Sequence, residues 1–435
     1  MGTLRNFLTV ALLINIACSA ASHKHGTVEL DLKWVTIDSL NGVYFSDIYV
    51  GTPPQRITVV YAPTSSDLFV HNTGDEEYLN SCAAQTPNPI CFAEYNNATT
   101  SSAVTLAPNA FNFNFLGLQS NGSYVAETIE LGGGLIRNQT MASISSGALP
   151  FHLLGMGFDS IQGGVTHGTF PKYQSIMEQL VSHGAITSQT QSMWLNPDLG
   201  PGNGPTTFPN GSVLFGKLDY GLVDGKLITL PVTNPLDTRP AENPLNWNVA
   251  VASISKADAP MENIVANPRG DSCILDATTA FFALHNTSFA RLIERFPMAV
   301  LNTSFGLPFY QIDCTERFND ANSLDFTFID TKNLINKQTI RVPPEEVIWP
   351  TNNVVPGGSP DTCALAAFEW ESYFGTDGIG SIFNCVLGVN VLKEAYVIHD
   401  VPNKQVSLAK AKRKNSYYKP DLRVIPAQGV LSLPP

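Results

Sequence analysis

Val59-Val60-Tyr61-Ala62-Pro63-Thr64-Ser65-Ser66-Asp67-Leu68-Phe69-Val70-His71-Asn72 is the stretch on which the fold turns. Laid without a gap over Cys273 to Asn286, it sets Val-Val-Tyr-Ala-Pro-Thr-Ser-Ser against Cys-Ile-Leu-Asp-Ala-Thr-Thr-Ala and His71-Asn72 against His285-Asn286. The chain therefore reads as two related halves. Each half later supplies an apolar-apolar-Gly segment, Leu153-Leu154-Gly155 in the first and Val386-Leu387-Gly388 in the second.

Around these repeats the chain has the period of sheet. Phe111-Asn112-Phe113-Asn114-Phe115 alternates strictly, and Tyr124 to Leu131 has a similar pattern, as half-buried strands do. Two helices are expected: one with Tyr173, Ile176, Met177, Leu180 and Val181 on a single face before a stop at Gly184, the other through Phe289, Leu292, Ile293 and Phe296. The Pro-rich stretch 234–246 reads as a loop or linker, and Lys410-Ala411-Lys412-Arg413-Lys414 as a solvated tail.

At 435 residues, with 14% charged residues and a net charge of −12, the chain suits two lobes or one large β unit and lacks the basic face of a nucleic-acid partner. Residues 1–21 have the form of a signal peptide: Arg5, an apolar run from Phe7 to Ala17, then Ser19, Ala20 and Ala21. That run is shorter than the roughly 20 residues that span a bilayer. Without Cys18 six cysteines remain, an even number suited to an oxidising compartment. Asn97, Asn121, Asn138, Asn210, Asn286 and Asn302 each open an Asn-X-Ser/Thr sequon. Secretion without a membrane anchor and a monomeric state are the expectations.

Gly51-Thr52-Pro53-Pro54-Gln55 and the opening stretch together resemble the N-terminal active-site region of pepsin-like aspartic proteases. The resemblance runs from about residue 28 to 412. It includes Gly211 to Gly216, similar to the strand that closes the family's first lobe, and Ala395 to Asp400, similar to its last strands. It implies a mostly β, bilobal fold, two related β-barrel-like lobes around a deep cleft, with lobes at 28–218 and 219–412 and a tail at 413–435. In that fold each apolar-apolar-Gly strand threads behind an active-site loop.

The family's first motif reads Asp-Thr-Gly-Ser-Ser, so its water-activating Asp falls on Ala62, its Thr on Pro63 and its Gly on Thr64. The second motif keeps its acid as Asp276, while Ala277 replaces the Thr and Thr278 the Gly. Peptide hydrolysis by this route needs two carboxylates sharing one proton, one as base on water and one as acid toward the carbonyl. An alanine does neither. With both motif threonines gone, the hydrogen bonds that brace the two loops are expected to be lost too. Phe115, or Asn114 on a one-residue shift, aligns with the flap Tyr, near Gly117, and Val389 replaces a polar residue after Leu387-Gly388. Val28 to Leu32 follows the leader almost at once, where family zymogens carry a basic pro-segment.

The same resemblance pairs Cys314 with Cys363 and Cys82 with Cys91. It brings Cys273 and Cys385 onto neighbouring segments, as a third bridge or as two buried thiols. His71 and His285, at equivalent repeat positions, are expected to pack, and the histidines as a set have no metal-binding spacing. No cofactor is called for. Asp67 aligns with a family position that points away from the cleft and is not expected to replace the missing acid.

Two functions from different classes follow. One is a pseudoprotease binding a peptide, protein or small molecule in the cleft, or acting as a decoy through an outer loop at 196–209. The other is an enzyme of aspartic-type endopeptidase descent with residual or repurposed activity on Asp276.

Overall fold

A computed structural model describes residues 27–35, 42–84, 91–115, 118–196, 210–304, 308–355, 357–374, 385–414 and 418–430. The leader, Gly117 and most of the expected outer loop lie outside the described residues.

In chain order the strands of the first half are β1 (Val28–Val35), β2 (Val43–Val50), β3 (Gln55–Ala62), β4 (Leu68–His71), β5 (Val104–Phe115), β6 (Leu118–Leu131), β7 (Gly134–Gly147), β8 (His152–Gly155), β9 (Thr190–Leu195), β10 (Gly211–Phe215) and β11 (Lys217–Asp219). The remainder begins with β12 (Val223–Pro231), β13 (Asn248–Lys256), β14 (Asp271–Leu275), β15 (Phe282–Leu284), β16 (Val300–Asn302), β17 (Phe309–Ile312), β18 (Leu324–Ile329) and β19 (Lys337–Val342). It ends with β20 (Ile348–Pro350), β21 (Cys363–Leu365), β22 (Ala367–Glu369), β23 (Cys385–Leu387), β24 (Ala395–Asp400), β25 (Gln405–Ala411) and β26 (Leu422–Val424).

The repeat is visible in the strand pairing. In the first half β3 pairs parallel with β8, β8 antiparallel with β4, and β4 parallel with β7. The second half builds the same order: β14 parallel with β23, β23 antiparallel with β15, β15 parallel with β22. β8 and β23 are the two apolar-apolar-Gly segments, each laid behind a loop that leaves β3 or β14. Their glycines are steric requirements. A Cβ on Gly155 would stand 2.5 Å from the Asp67 carbonyl oxygen, and one on Gly388 2.1 Å from that of Phe281.

One 13-stranded sheet joins the halves in the order β12-β25-β24-β9-β10-β1-β2-β3-β8-β4-β7-β6-β5. Strand β24 pairs with β9 from Val397 opposite Met193 to Asp400 opposite Thr190, so late sequence closes an edge of early sequence. The second half adds a seven-stranded sheet and a four-stranded one, β16-β17-β21-β20. The architecture is mostly β and bilobal. Its largest apolar core draws on both halves, from Leu30, Ile57 and Tyr61 to Val249, Leu275 and Val397.

Both expected helices form, with shifted ends. Helix Ile176–Ser182 begins at Ser175, whose hydroxyl accepts from the Glu178 amide while Glu178 returns a bond to the Ser175 amide. This cap leaves Tyr173 outside. Helix Asn286–Glu294 buries Phe289 and Leu292 and stops short of Phe296. The stretch 234–246 contains no strand or helix.

The expected solvated tail is corrected. Lys410 and Ala411 belong to β25, and β26 pairs with β11 from Lys217 opposite Val424 to Asp219 opposite Leu422. Ile425 is completely buried and its amide donates to the Gly216 carbonyl at 2.9 Å. The Lys414 ammonium sits 4.3 Å above the Trp194 ring, so one of the basic residues is held by aromatic contact. Apolar Ile425 and Val430 were the sequence features that could have marked this segment as packed.

Candidate functional site

Strands β3 and β14 end in the two loops of the repeat. Ala62, to which the resemblance assigns the first carboxylate, is the last residue of β3, paired with Gly155 and only 1% exposed. Asp276 follows β14 directly, and its amide donates to the Leu387 carbonyl at 3.1 Å. Thr64, Ser65, Asp276, Thr278 and Thr279 are all partly exposed, whereas Ala62, Pro63 and Ala277 are buried. What solvent or a ligand meets here is one carboxylate ringed by hydroxyls.

The Asp276 carboxylate is occupied. Its Oδ1 accepts from the Thr278 amide at 2.9 Å, the Thr278 hydroxyl at 2.7 Å and the Thr64 hydroxyl at 3.1 Å. Its Oδ2 accepts from the Thr279 hydroxyl at 2.6 Å. Two of these donors, Thr64 and Thr278, stand where the resemblance places glycines. The hydroxyls displaced from the motif threonine positions have reappeared one residue along, aimed at the surviving acid.

This corrects the expectation that the loops lose their brace. Thr64 joins the first loop directly to Asp276 of the second, and the Trp247 indole N–H donates to the Pro63 carbonyl at 2.8 Å from just before β13. The sequence reading missed Trp247 and the part played by Thr279. A hydroxyl in each loop was the available signal, but its direction depends on how the loops meet.

Asp67 does not approach Asp276's partner position. It is buried, accepting from the Gly163 amide at 2.8 Å and the Tyr173 hydroxyl at 2.5 Å. Burial raises its pKa above the usual carboxylate value, although both hydrogen bonds oppose the shift. Phe115 ends β5 opposite Leu118, next to the hairpin turn. Two residues earlier, Phe113 packs at 5.2 Å between ring centroids on Phe69 of β4. Val389 is buried and its amide donates to the Thr279 carbonyl at 2.8 Å, which ties the β23 end to the loop that holds Asp276.

All three cysteine pairs are disulfides: Cys82–Cys91, Cys314–Cys363 and Cys273–Cys385. The last resolves the choice between bridge and thiols, joining β14 to β23 immediately behind Asp276. Of the sequon residues, Asn97, Asn121 and Asn138 are exposed, and Asn210, Asn286 and Asn302 partly so.

The two repeat-equivalent histidines diverge. His71 is buried, stacked on Tyr78 at 4.3 Å, with Nδ1 2.7 Å from Asp75 and Nε2 3.1 Å from the Phe151 carbonyl. Its backbone amide donates to Nδ1 of His152 at 3.0 Å. Burial and the nearby His71 push the His152 pKa down to about 3. His285 instead caps helix Asn286–Glu294 at the surface. Among the described residues no cluster of three or more His, Cys, Asp or Glu is placed to hold a metal ion.

The doubled loop and the strand behind each loop agree with the sequence comparisons. The family profile for eukaryotic aspartyl protease matches residues 43–411. The chain belongs to the eukaryotic aspartyl protease family. Among curated relatives it is 30% identical over 375 residues to candidapepsin-3 of Candida albicans, covering 85% of this chain and 79% of that protein. It is 27% identical over 377 residues to a probable aspartic-type endopeptidase OPSB of Arthroderma benhamiae, covering 86% and 69%. Secreted aspartic protease 1 of Candida albicans is 25% identical over 400 residues, covering 90% and 87%.

Among solved structures, the aspartic proteinase from Irpex lacteus superposes with a TM-score of 0.66 at 19% identity, over 90% of this chain and all of that one. That likeness concerns the fold. Within the described residues no helix is long and apolar enough to cross a membrane.

Proposed function

We propose that this chain is a secreted pseudoprotease of the aspartyl protease family that binds a peptide, protein or small molecule in the cleft between its lobes. The observation behind this reading is the pairing of a buried Ala62 methyl with an Asp276 carboxylate whose Oδ1 takes three protein donors. Hydrolysis needs a second carboxylate to share the proton and a free oxygen edge to polarise water. Here Ala62 offers no second acid, and the edge facing the other loop takes the Thr64 hydroxyl. The cleft itself keeps value for binding, because apolar walls and strand edges supply affinity without chemistry. Relatives named as secreted proteases support the extracellular assignment.

The test is cleavage of denatured haemoglobin by the purified protein from acid to neutral pH, beside pepstatin-treated and Asp276→Asn samples. No cleavage in any sample is expected. Pepstatin-sensitive cleavage that disappears in Asp276→Asn would overturn the proposal in favour of an enzyme working from Asp276.

A further inference from the structure

Among the described residues strand β16 is an edge of the four-stranded sheet, hydrogen-bonded to β17 alone. Edge strands with apolar side chains are liabilities unless something covers or blunts them. This edge carries Val300 at 67% exposure and follows Met298 at 75%. A groove of about 480 Å³ opens beside it, with Met298, Val300, Gln311, Asp313, Asp361 and Thr362 in its lining. Its size lies within the ~300–1,000 Å³ range of small-ligand sites.

The register identifies what stands next to this groove. Val300 lies opposite Gln311, and Asn302, two residues along β16, shares their face of the sheet. The Asn302 amide nitrogen accordingly donates to Gln311 Oε1 at 3.2 Å. Asn302-Thr303-Ser304 is a sequon, Thr303 and Ser304 are exposed, and the Ser304 amide donates to Asn302 Oδ1 at 2.8 Å. An acceptor asparagine thus sits on the rim of a groove of mixed character.

We infer that Asn302 carries an N-linked glycan whose first sugars lie in this groove and cover the β16 edge. A sugar ring presents a C–H face that fits Met298 and Val300, while its hydroxyls and N-acetyl N–H are donors for Asp313, Asp361 and Gln311. In the attachment step Asn302 Nδ2 bonds to the anomeric carbon of a lipid-pyrophosphate-linked oligosaccharide. The anomeric C–O bond breaks, the lipid pyrophosphate leaves and Nδ2 gives up one proton. Its second proton remains for Gln311. The inference rests on passage through the secretory pathway and is independent of what the cleft binds.

The test uses the full chain secreted from a eukaryotic host, with Ser304→Ala removing the sequon while leaving Asn302 and its bond to Gln311. Peptide mass spectrometry is expected to find the Asn302 peptide glycosylated in the parent protein. Amide hydrogen exchange across residues 298–302 and 310–313 is expected to be several-fold faster in Ser304→Ala than in the parent. Trimming the glycan to one N-acetylglucosamine is expected to keep most of that protection, and Asn97→Gln to leave it unchanged. An unoccupied Asn302, or equal exchange in parent and Ser304→Ala, would overturn the inference. So would self-association of Ser304→Ala that restores the protection, since a second copy would then be the natural cover.

Discussion

The Thr64 hydroxyl lies 3.1 Å from Asp276 Oδ1, a hydrogen bond between loops 212 residues apart in sequence. It fills part of the coordination around the acid that a catalytic water would otherwise use, and at the same time it ties the halves of the molecule together. Restoring the lost acid would therefore leave the site still capped.

Ala62→Asp alone is expected to give no pepstatin-sensitive proteolysis, whereas Ala62→Asp combined with Thr64→Gly is expected to rise above background. The single change also buries a carboxyl group at a position that is 1% exposed, a burden of about 1–3 kcal/mol for the neutral acid and more for the ionised one. Haemoglobin cleavage and denaturant unfolding of both variants check the two statements. Full activity in the single variant would show that Thr64 is no obstacle.

Thr64→Val keeps the shape and removes the donor. Hydrogen bonds to charged groups contribute ~1.5–3 kcal/mol, and partial exposure of both partners places this one toward the lower end, about 1–2 kcal/mol. Urea unfolding is the measurement, with Ser65→Ala as the neighbouring control.

Removing the Cys273–Cys385 bridge by paired Ala substitutions frees a segment spanning 112 positions. Loss of a cross-link over a loop of that size is expected to cost about 2–5 kcal/mol. Substituting Cys82 and Cys91, 9 positions apart, should cost less. Thermal unfolding of the two double variants ranks them, and the reverse order would contradict the loop-entropy argument.

His399 offers a pH test. It is fully buried against Trp247, neither ring nitrogen has a hydrogen-bond partner among the described residues, and burial lowers its pKa from 6.5 to about 3. The unfolded chain therefore binds the extra proton first: the contribution of neutral His399 is intact above about pH 6.5 and is lost as pH falls toward 3. His399→Phe removes this loss. Relative to the parent it should gain roughly 3 kcal/mol between about pH 7 and about pH 4. Unfolding free energies at the two pH values decide it, and parallel pH dependence in both proteins would refute it.

Much of the fold could be read before any coordinates because Gly155 and Gly388 recur at matching places, and a strand that threads behind a loop tolerates no Cβ there. Alanine at the position the resemblance gives to an acid was equally legible, since a motif either has its acid or lacks it. Thr64 was harder. It was noticed as a missing glycine, but its gain of a partner depends on the distance between two loops, which no local pattern encodes. Lys414 and Ile425 were misjudged for a related reason. A short basic run followed by a few residues looks solvated until the surface that receives it, Trp194 and Gly216, is in place. His71 shows the converse, because its repeat partner His285 has the same local sequence position and a surface role.

The pairing of β24 with β9 also constrains how the protein is made. Leu195 ends β9 and Ala395 begins β24, so some 200 residues must be synthesised after β9 before this one of its two neighbours exists. At about 5–20 residues per second the ribosome needs roughly 10–40 s for that interval. For that time the edge of β9 from Thr190 to Met193 lacks the strand that pairs with it in the folded protein.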